Sequence, residues 1–243
     1  GLIAGINAAL EVLGREQIVI DRSQGYIGVL IDDLVTKENH EPYRMMTSRS
    51  EYRLLLRQDN ADQRLTPLGY KVGLISEQRY QHLLTKMNLI EKEKQRLEET
   101  MVGGSKEVQT FLERHESTTL KTAASLAEIL RRPEMKYEYL KEIDPESPEL
   151  SWDVCEQVEI DIKYDGYIKR QLKQVEQFKK LEEKRLPADI DYKEIKSLRI
   201  EAVQKLELCR PVSVGQASRI SGVSPADISV LLVWLEQHRV KKQ

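Results

Sequence analysis

The sequence of 243 residues is long enough for one large domain or two ordinary ones. Its 38 basic and 40 acidic residues give a net formal charge of −2, so global charge does not support a dedicated nucleic-acid module, and such a role would need a local basic patch. Two unpaired cysteines and four scattered histidines argue against a zinc site or a disulfide scaffold. The sequence predicts no membrane span, no secretory signal and a cytoplasmic protein.

The first part of the chain predicts short, mixed elements. Residues 1–14 form a small-residue helix pattern without an initiator methionine, so we expect the chain to be part of a longer one. Residues 17–21 are β-prone, and residues 26–35 have the apolar spacing of a short amphipathic helix. Residues 41–46 are predicted to be extended because Pro42 disfavours helix just before itself.

A new helix is predicted from Ser48, because Glu51 three residues later completes a capping-box pattern. From about residue 76, helix formers with mixed charge dominate, which predicts a mainly α fold. A long helix from residue 76 has Leu83, Met87, Ile90 and Leu97 on its buried face. Further helices are predicted at 106–115, 122–131, 135–142, 151–184, 194–208 and 214–221, and from Ser224–Pro225 onward.

Three arginines, Arg49, Arg53 and Arg57, are spaced four residues apart and would form one stripe on the helix predicted from Ser48. Like charges at this spacing cost about 0.2–0.5 kcal/mol per pair unless something neutralises them. An RNA backbone would do so, because the arginine fork suits phosphate oxygens and also stacks on bases.

Neighbouring residues extend this pattern. Arg44 precedes the stripe and Arg64 follows it, while Tyr43 and Tyr52 offer stacking surfaces. An alternative interpretation is a salt-bridge network in which the arginines pair with nearby carboxylates, those of Glu51, Asp59 and Asp62. Spacing alone leaves both interpretations open.

Other patterns favour structural roles. Residues 213–235 resemble a helix-turn-helix, but the second helix begins with Ser-Pro-Ala-Asp, which is poor for reading bases, so a packed helical pair or a protein-binding surface is favoured. The adjacent carboxylates Asp32 and Asp33 predict a surface role rather than an acid–base pair. Neither Gly-rich phosphate-loop pattern is present, so a bound nucleotide or flavin would have its main phosphate loop outside this chain.

Four long motifs carry a family resemblance. They are the run Glu41–Arg57 (EPYRMMTSRSEYRLLLR), its continuation through Asp59–Thr66, the block from Gln157 to Ile168, and the tail Gly215–Ala226 (GQASRISGVSPA). Together they resemble the carboxy-terminal part of the MnmG (GidA) family, and the resemblance covers essentially the whole chain.

The resemblance implies an FAD-dependent enzyme that modifies carbon five of the wobble uridine of tRNA together with the GTPase partner MnmE. It also implies NADH as reductant, methylenetetrahydrofolate as one-carbon donor and a homodimer. The FAD domain with its catalytic cysteines would lie outside this chain, so Cys155 and Cys209 receive no catalytic role and we expect no catalytic or metal-binding residue here.

The resemblance implies a division into residues 1–75, the end of an FAD-binding α/β domain, and residues 76–243, a helical domain for tRNA and partner binding. The alternative is a protein-interaction module that binds MnmE without touching RNA. The residues expected to bind tRNA are Arg44, Arg49, Arg53, Arg57, Arg64 and Tyr43. Those expected near the flavin edge are Arg22 and Tyr26, and those expected at a partner surface are Arg219, Ile228, Leu231 and Leu235.

Overall fold

The regular secondary structure of the chain is almost all α-helical, which confirms the predicted mainly α class. The computed structural model describes residues 1–37 and 41–240, with side chains through His238. Within these residues no helix combines the length and apolar character needed to cross a bilayer. In chain order the helices are α1 (Leu2–Val12), α2 (Tyr26–Thr36), α3 (Ala61–Lys71), α4 (Glu77–Glu99), α5 (Lys106–Arg114), α6 (Leu126–Leu130), α7 (Tyr137–Leu140), α8 (Trp152–Glu183), α9 (Ile200–Cys209), α10 (Val214–Ser218) and α11 (Pro225–Val240).

The remaining regular elements are short. Strands β1 (Met101–Val102) and β2 (Ala124–Ser125) pair antiparallel, and 3-10 turns span Thr47–Arg49 and Tyr192–Glu194. The β-prone residues 17–21 form no strand; instead the Asn7 side chain donates to and accepts from the Ile18 backbone, at 2.9 Å each way.

Two compact units make up the structure. The first unit contains Gly1–Ile18 and Leu54–Lys169, and the second contains Val19–Arg53 and Arg170–Gln243. Helix α8 contributes its first part to the first unit and its last part to the second. The division predicted near residue 75 and the assignment of residues 1–75 to the end of a cofactor-binding domain stay predictions.

The core of the first unit is built around α4. Leu83, Ile90 and Leu97 are buried at seven-residue intervals, as predicted, whereas Met87 is 41% exposed. Helix α4 packs with the short helices α5, α6 and α7 and with the start of α8. The helix predicted at 122–131 begins only at Leu126, because the two residues before it pair with β1 and Ser125 then caps α6.

A charged cluster lies inside this core. Glu93, 3% exposed, accepts two hydrogen bonds from Arg96 at 2.8 Å and one from the Tyr137 hydroxyl at 2.8 Å. Arg96 also donates to buried Asp144 at 2.7 Å. Burial and the hydrogen bond to Glu93 raise the pKa of Tyr137 above its ordinary value. One guanidinium therefore neutralises two buried carboxylates.

The second unit has its own apolar core, formed by residues 186–231. Helix α9 begins at Ile200 rather than at residue 194 as predicted, because the 3-10 turn Tyr192–Glu194 and a second turn, closed by the hydrogen bond from the Leu198 amide to the Ile195 carbonyl oxygen, precede it. Buried Leu206, Val214 and Leu231 join α9, α10 and α11 in this core.

The start of α11 is fixed as its sequence predicted. The Ser224 hydroxyl accepts from the Asp227 amide at 3.3 Å, and Asp227 in turn accepts from the Ser224 amide at 2.8 Å. Hydrogen bonds from Arg199 and Ser224 hold the pKa of Asp227 below its usual range. Gly222, at φ +94°, provides the left-handed turn between α10 and α11.

Helix α2 lies close to the backbone of the chain before it. A Cβ added at Gly28 would meet the carbonyl oxygens of Ile20 and Asp21 well inside van der Waals contact. Glycine is required here because only a residue without a side chain lets the helix approach this closely. This close packing fixes the position of α2, which contributes Asp32 and Asp33 to the candidate site in the second unit.

Candidate nucleic-acid interface

The arginine-rich segment is not an α-helix. The prediction of a helix that begins at Ser48 is therefore wrong. Thr47–Arg49 forms a single 3-10 turn, and Ser50 is already extended at φ −93° and ψ 136°. The predicted capping box fails because the Glu51 carboxylate is held by Arg22, at 2.8 and 3.2 Å. The four-residue spacing of Arg49, Arg53 and Arg57 therefore does not place them on a helix face.

Arg22 is the centre of a buried charge cluster in the second unit. Its side chain is only 3% exposed and donates to Asp33 at 2.7 Å, to Asp32 at 2.9 Å and to Glu51. Burial opposes the charged form, yet hydrogen bonds to Glu51 and Asp33 raise the pKa of Arg22 above its ordinary value. Arg22 thus ties the loop at residue 51 to helix α2.

Asp33 connects the cluster to Tyr43. It is fully buried and accepts hydrogen bonds from Arg22, from Lys37 and from the Tyr43 hydroxyl, the last at 2.7 Å. Burial would raise the pKa of Asp33, but these hydrogen bonds outweigh it and hold the pKa below its usual value. The guanidinium of Arg49 lies 4.4 Å from the centre of the Tyr43 ring. Tyr43, one of the two tyrosines predicted to stack on RNA bases, is therefore already packed against Arg49, and the other, Tyr52, is buried at 7% exposure.

Asp32 and Asp33 do not have the surface role that their sequence predicted. Asp32 bridges Arg22 to Arg219, whose Nη2 lies 2.7 Å from it, and Arg219 also pairs with Glu182. Arg219 is 12% exposed and its guanidinium lies 4.8 Å from the centre of the Phe178 ring. The cluster therefore joins α2, α8 and α10, and no pattern in the sequence pointed to it because its members are far apart along the chain.

Two of the arginines predicted to contact RNA have guanidinium groups that are not neutralised within the described residues. Arg44 and Arg53 are exposed, and neither has an ion-pair partner within the part of the chain that the structure describes. They flank the 3-10 turn that Arg22, Arg49 and Tyr43 hold in place. The fixed loop presents both guanidinium groups to solvent, where they are available to an anionic partner.

The other two arginines, Arg57 and Arg64, belong to the first unit and are engaged there. Arg57 pairs with Asp59 at 3.0 Å and lies 3.7 Å from Asp161. Arg64 donates to Asn60 at 2.9 Å and to the Arg57 carbonyl oxygen at 2.8 Å. For Arg57 the structure has the salt bridge to Asp59 that the alternative interpretation of the sequence contained.

Formal charge differs between the two units. The second unit has 20 Lys and Arg against 16 Asp and Glu, a net charge of +4, and the first has 18 against 24, a net charge of −6. The overall value of −2 conceals this difference. A polyanion is attracted to the second unit and repelled by the first.

The residues expected near the flavin edge differ in availability. All the polar atoms of the Arg22 guanidinium have partners inside the protein, so Arg22 is not free to hold a flavin phosphate. Tyr26, the first residue of α2, is half-buried. Whether either residue lies near a flavin stays a prediction.

The residues expected at a partner surface lie mainly inside the second unit. Ile228 and Leu231 are buried core residues, Leu235 packs against that core, and Arg219 is held in the charge cluster. The exposed face of α11 instead contributes Val233, 54% exposed, to a groove that also contains Trp234 and Ile195. The role of the four predicted residues in partner binding stays a prediction.

Comparisons with known proteins define the class to which this fold belongs. Residues 77–172 match the family described as "tRNA modifying enzyme MnmG/GidA C-terminal helical domain", and residues 174–243 match "tRNA modifying enzyme MnmG/GidA C-terminal helical bundle". The fold is thus that of the carboxy-terminal helical part of tRNA-modifying enzymes.

Similar proteins agree with this class. The chain is 66% identical over 242 residues to the tRNA uridine 5-carboxymethylaminomethyl modification enzyme MnmG of Lachnoclostridium phytofermentans, covering 100% of this chain and 39% of the relative. It is 62% identical to the MnmG of Caldicellulosiruptor saccharolyticus over 237 residues, 98% of this chain and 38% of that protein. The crystal structure of Aquifex aeolicus GidA (form II) superposes with a TM-score of 0.78 at 43% identity, over 96% of this chain and 36% of that one. The chain belongs to the MnmG/GidA family, and it spans about two fifths of the length of these curated relatives.

Proposed function

We propose that this chain docks tRNA for a flavin-dependent enzyme that modifies carbon five of the wobble uridine. The single observation that carries the proposal is the loop of the second unit that holds Arg44 and Arg53 exposed and without ion-pair partners. The names of the relatives, which describe a tRNA uridine modification enzyme, support an RNA as the anion.

Electrostatics favour this loop over the first unit. The phosphate backbone supplies most of the sequence-independent affinity for a nucleic acid, and it rewards cations that are not already neutralised. Arg44 and Arg53 meet this condition, whereas Arg57 pairs with Asp59. We therefore narrow the tRNA contacts from six residues to these two, with Arg49 and Tyr43 supporting the loop.

Replacing Arg44 and Arg53 together with alanine should weaken binding of an unmodified tRNA transcript about tenfold near 0.1 M salt. Each phosphate contact contributes about −0.7 to −0.9 to the slope of log affinity against log salt, so the slope should become shallower by about 1.5. Fluorescence anisotropy with labelled transcript across a salt series measures both quantities.

The matched control is the pair Lys193→Ala and Lys196→Ala, which removes two exposed charges from the same unit. We expect this control to change the affinity less than twofold. Equal affinities and equal salt slopes for the two double variants would contradict tRNA docking by the loop. Circular dichroism melting confirms that each variant is folded.

The rest of the enzyme remains part of the same proposal. FAD would supply redox chemistry when bound by parts of the enzyme that this chain does not contain, with NADH as reductant and methylenetetrahydrofolate as one-carbon donor. Within this scheme the chain's own residues bind and orient the RNA and perform no chemical step. The proposed assembly is a homodimer in the bacterial cytoplasm.

A second candidate function is binding of the GTPase partner MnmE. The observation that favours it is the groove between α11 and residues 194–197, where Val233 and Trp234 offer an apolar surface rimmed by Lys196 and Glu194. Trp234 is half-buried and lines this groove, and aromatic residues at protein interfaces often provide much of the affinity for a partner.

Trp234→Ala should weaken MnmE binding about tenfold while leaving tRNA affinity unchanged. Isothermal titration with purified MnmE measures the first quantity and anisotropy measures the second. Trp152→Ala removes an exposed tryptophan from the first unit and is the control for loss of a tryptophan, while circular dichroism melting checks that removal of half-buried Trp234 leaves the chain folded. If MnmE binds wild type and both variants alike, the groove is not its docking site.

A further inference from the structure

We infer that the tRNA-docking surface continues from Arg53 onto one face of helix α8, formed by Arg170, Lys173, Gln174 and Gln177. This inference rests on the proposed function, since it extends the same site. It concerns four residues that neither the sequence motifs nor the relatives' names single out. We call this set the α8 polar face.

The geometry begins with the spacing of the four residues. Positions 170, 173, 174 and 177 follow the pattern i, i+3, i+4, i+7, which places their side chains on one face of a helix. All four are exposed. The neighbouring face, with Gln171, Val175 and Phe178, is the one that packs into the second unit, and Val175 is only 7% exposed.

Two contacts bring the α8 polar face next to the arginine loop. The Gln171 side chain donates to the Glu51 carbonyl oxygen at 3.3 Å, and the rings of Phe178 and Tyr52 meet edge to face with centres 6.5 Å apart. Glu51 and Tyr52 immediately precede Arg53. The loop and the helix thus form adjoining parts of one surface within the second unit.

The chemistry of the α8 polar face fits a phosphate backbone. It combines two cations with two side-chain amides and contains no carboxylate; the nearest acid on the helix, Glu176, is paired with Lys180 at 2.8 Å. None of the four side chains has a hydrogen-bond or ion-pair partner in the described residues. Lysine, arginine and glutamine are the side chains that commonly contact phosphate and sugar oxygens.

RNA is favoured over a protein as the occupant because the four side chains are entirely polar. Protein interfaces bury apolar and aromatic anchors and are depleted in lysine. The α8 polar face offers no such anchor, whereas four donor-bearing side chains along about two helical turns match consecutive phosphates of a nucleic-acid strand.

The test is the double substitution Arg170→Ala and Lys173→Ala in the 243-residue chain, with an unmodified tRNA transcript as the probe. We expect affinity near 0.1 M salt to fall about tenfold and the salt slope to become shallower by about 1.5, because two phosphate contacts are lost. The Lys193→Ala, Lys196→Ala pair again removes the same charge elsewhere in the unit and should change affinity less than twofold.

A photo-crosslinking amino acid at position 174 provides an independent readout that does not depend on affinity. It should crosslink to the transcript, whereas the same group at exposed position 204 on α9 should not. Crosslinking at neither position, with unchanged affinity of the double variant, overturns the inference.

The outcomes also separate this inference from the proposed function. If Arg44→Ala, Arg53→Ala weakens binding but Arg170→Ala, Lys173→Ala does not, the RNA ends at the loop and only the inference fails. If neither variant weakens binding, tRNA docking itself fails. If the α8 variant loses affinity for MnmE and keeps its affinity for tRNA, the α8 polar face is a protein surface and the inference is wrong.

Discussion

Arg96→Met should lower the free energy of unfolding by roughly 4 kcal/mol, because it leaves buried carboxylates without their counter-ion. Asp144 and Glu93 each have side chains about 3% exposed, and Arg96 is the ion-pair partner of both. Methionine keeps much of the volume and apolar stem of arginine, so the loss measures charge rather than packing. Urea denaturation followed by circular dichroism gives the free energy, and hydrogen exchange identifies which part of the chain opens.

Two further variants make this prediction sharp. Arg114→Met breaks an exposed pair with Glu142 and should cost less than about 1 kcal/mol. Adding Asp144→Asn to Arg96→Met should recover part of the lost stability, since the buried negative charge disappears with its partner already gone. If Arg114→Met and Arg96→Met lower the free energy of unfolding by similar amounts, Arg96 is not an important counter-ion of the buried carboxylates.

Arg22→Met should destabilise the second unit by roughly 3 kcal/mol, and the loss should appear in its own helices. The cost is smaller than at Arg96 because Lys37 and Tyr43 still donate to buried Asp33. Hydrogen exchange should rise in α2 and in residues 41–53, while α4 to α6 stay protected. The matched control is Lys179→Met. In the wild type the exposed Lys179 ammonium group lies 3.6 Å from the Asp21 carboxylate.

The pH dependence follows from the depressed pKa of Asp33. A carboxyl group whose pKa is lower in the folded state contributes stability that is present above its unfolded value of about 3.9 and is lost as pH falls through the folded value. The stability gap between wild type and Arg22→Met should therefore be fully present at pH 7 and narrow as the pH falls below about 4. A gap that does not narrow at these low pH values would show that Asp33 is not the group that Arg22 stabilises.

The same variant connects folding to the proposed function. Arg22 holds Glu51 and the Arg49 carbonyl oxygen, so it fixes the loop on which Arg44 and Arg53 lie. Loosening that loop should weaken tRNA binding even though Arg22 itself is buried. We regard Arg22 as a positioning residue of the docking surface rather than a contact.

Local signals in the sequence predicted most of the helices. Ser224–Pro225 marked the start of α11, and the spacing of Leu83, Ile90 and Leu97 marked the buried face of α4. These signals succeed because caps and apolar periodicity act within a few turns of the chain. The long motifs from Glu41 to Arg57 and from Gly215 to Ala226 correctly predicted the MnmG/GidA family.

The sequence was misleading where a distant partner competed for a local group. Ser48 and Glu51 have the spacing of a capping box, but Arg22, 29 residues earlier, takes the Glu51 carboxylate. Without that cap the arginine helix does not form. The prediction that adjacent Asp32 and Asp33 lie at the surface failed for the same reason. Arg22 and Arg219 neutralise these carboxylates inside the protein, and neither arginine is close to them in the sequence.

The sequence by itself determined the helical class, the family and the basic character of the segment from Tyr43 to Thr66. Only the tertiary structure decided which arginines of that segment are free: it pairs Arg57 inside the first unit and leaves Arg44 and Arg53 exposed in the second. The physical reason is that availability to a partner depends on which charges are already neutralised. That neutralisation is set by contacts between residues far apart in the chain, such as Arg22 with Glu51 and Arg219 with Asp32.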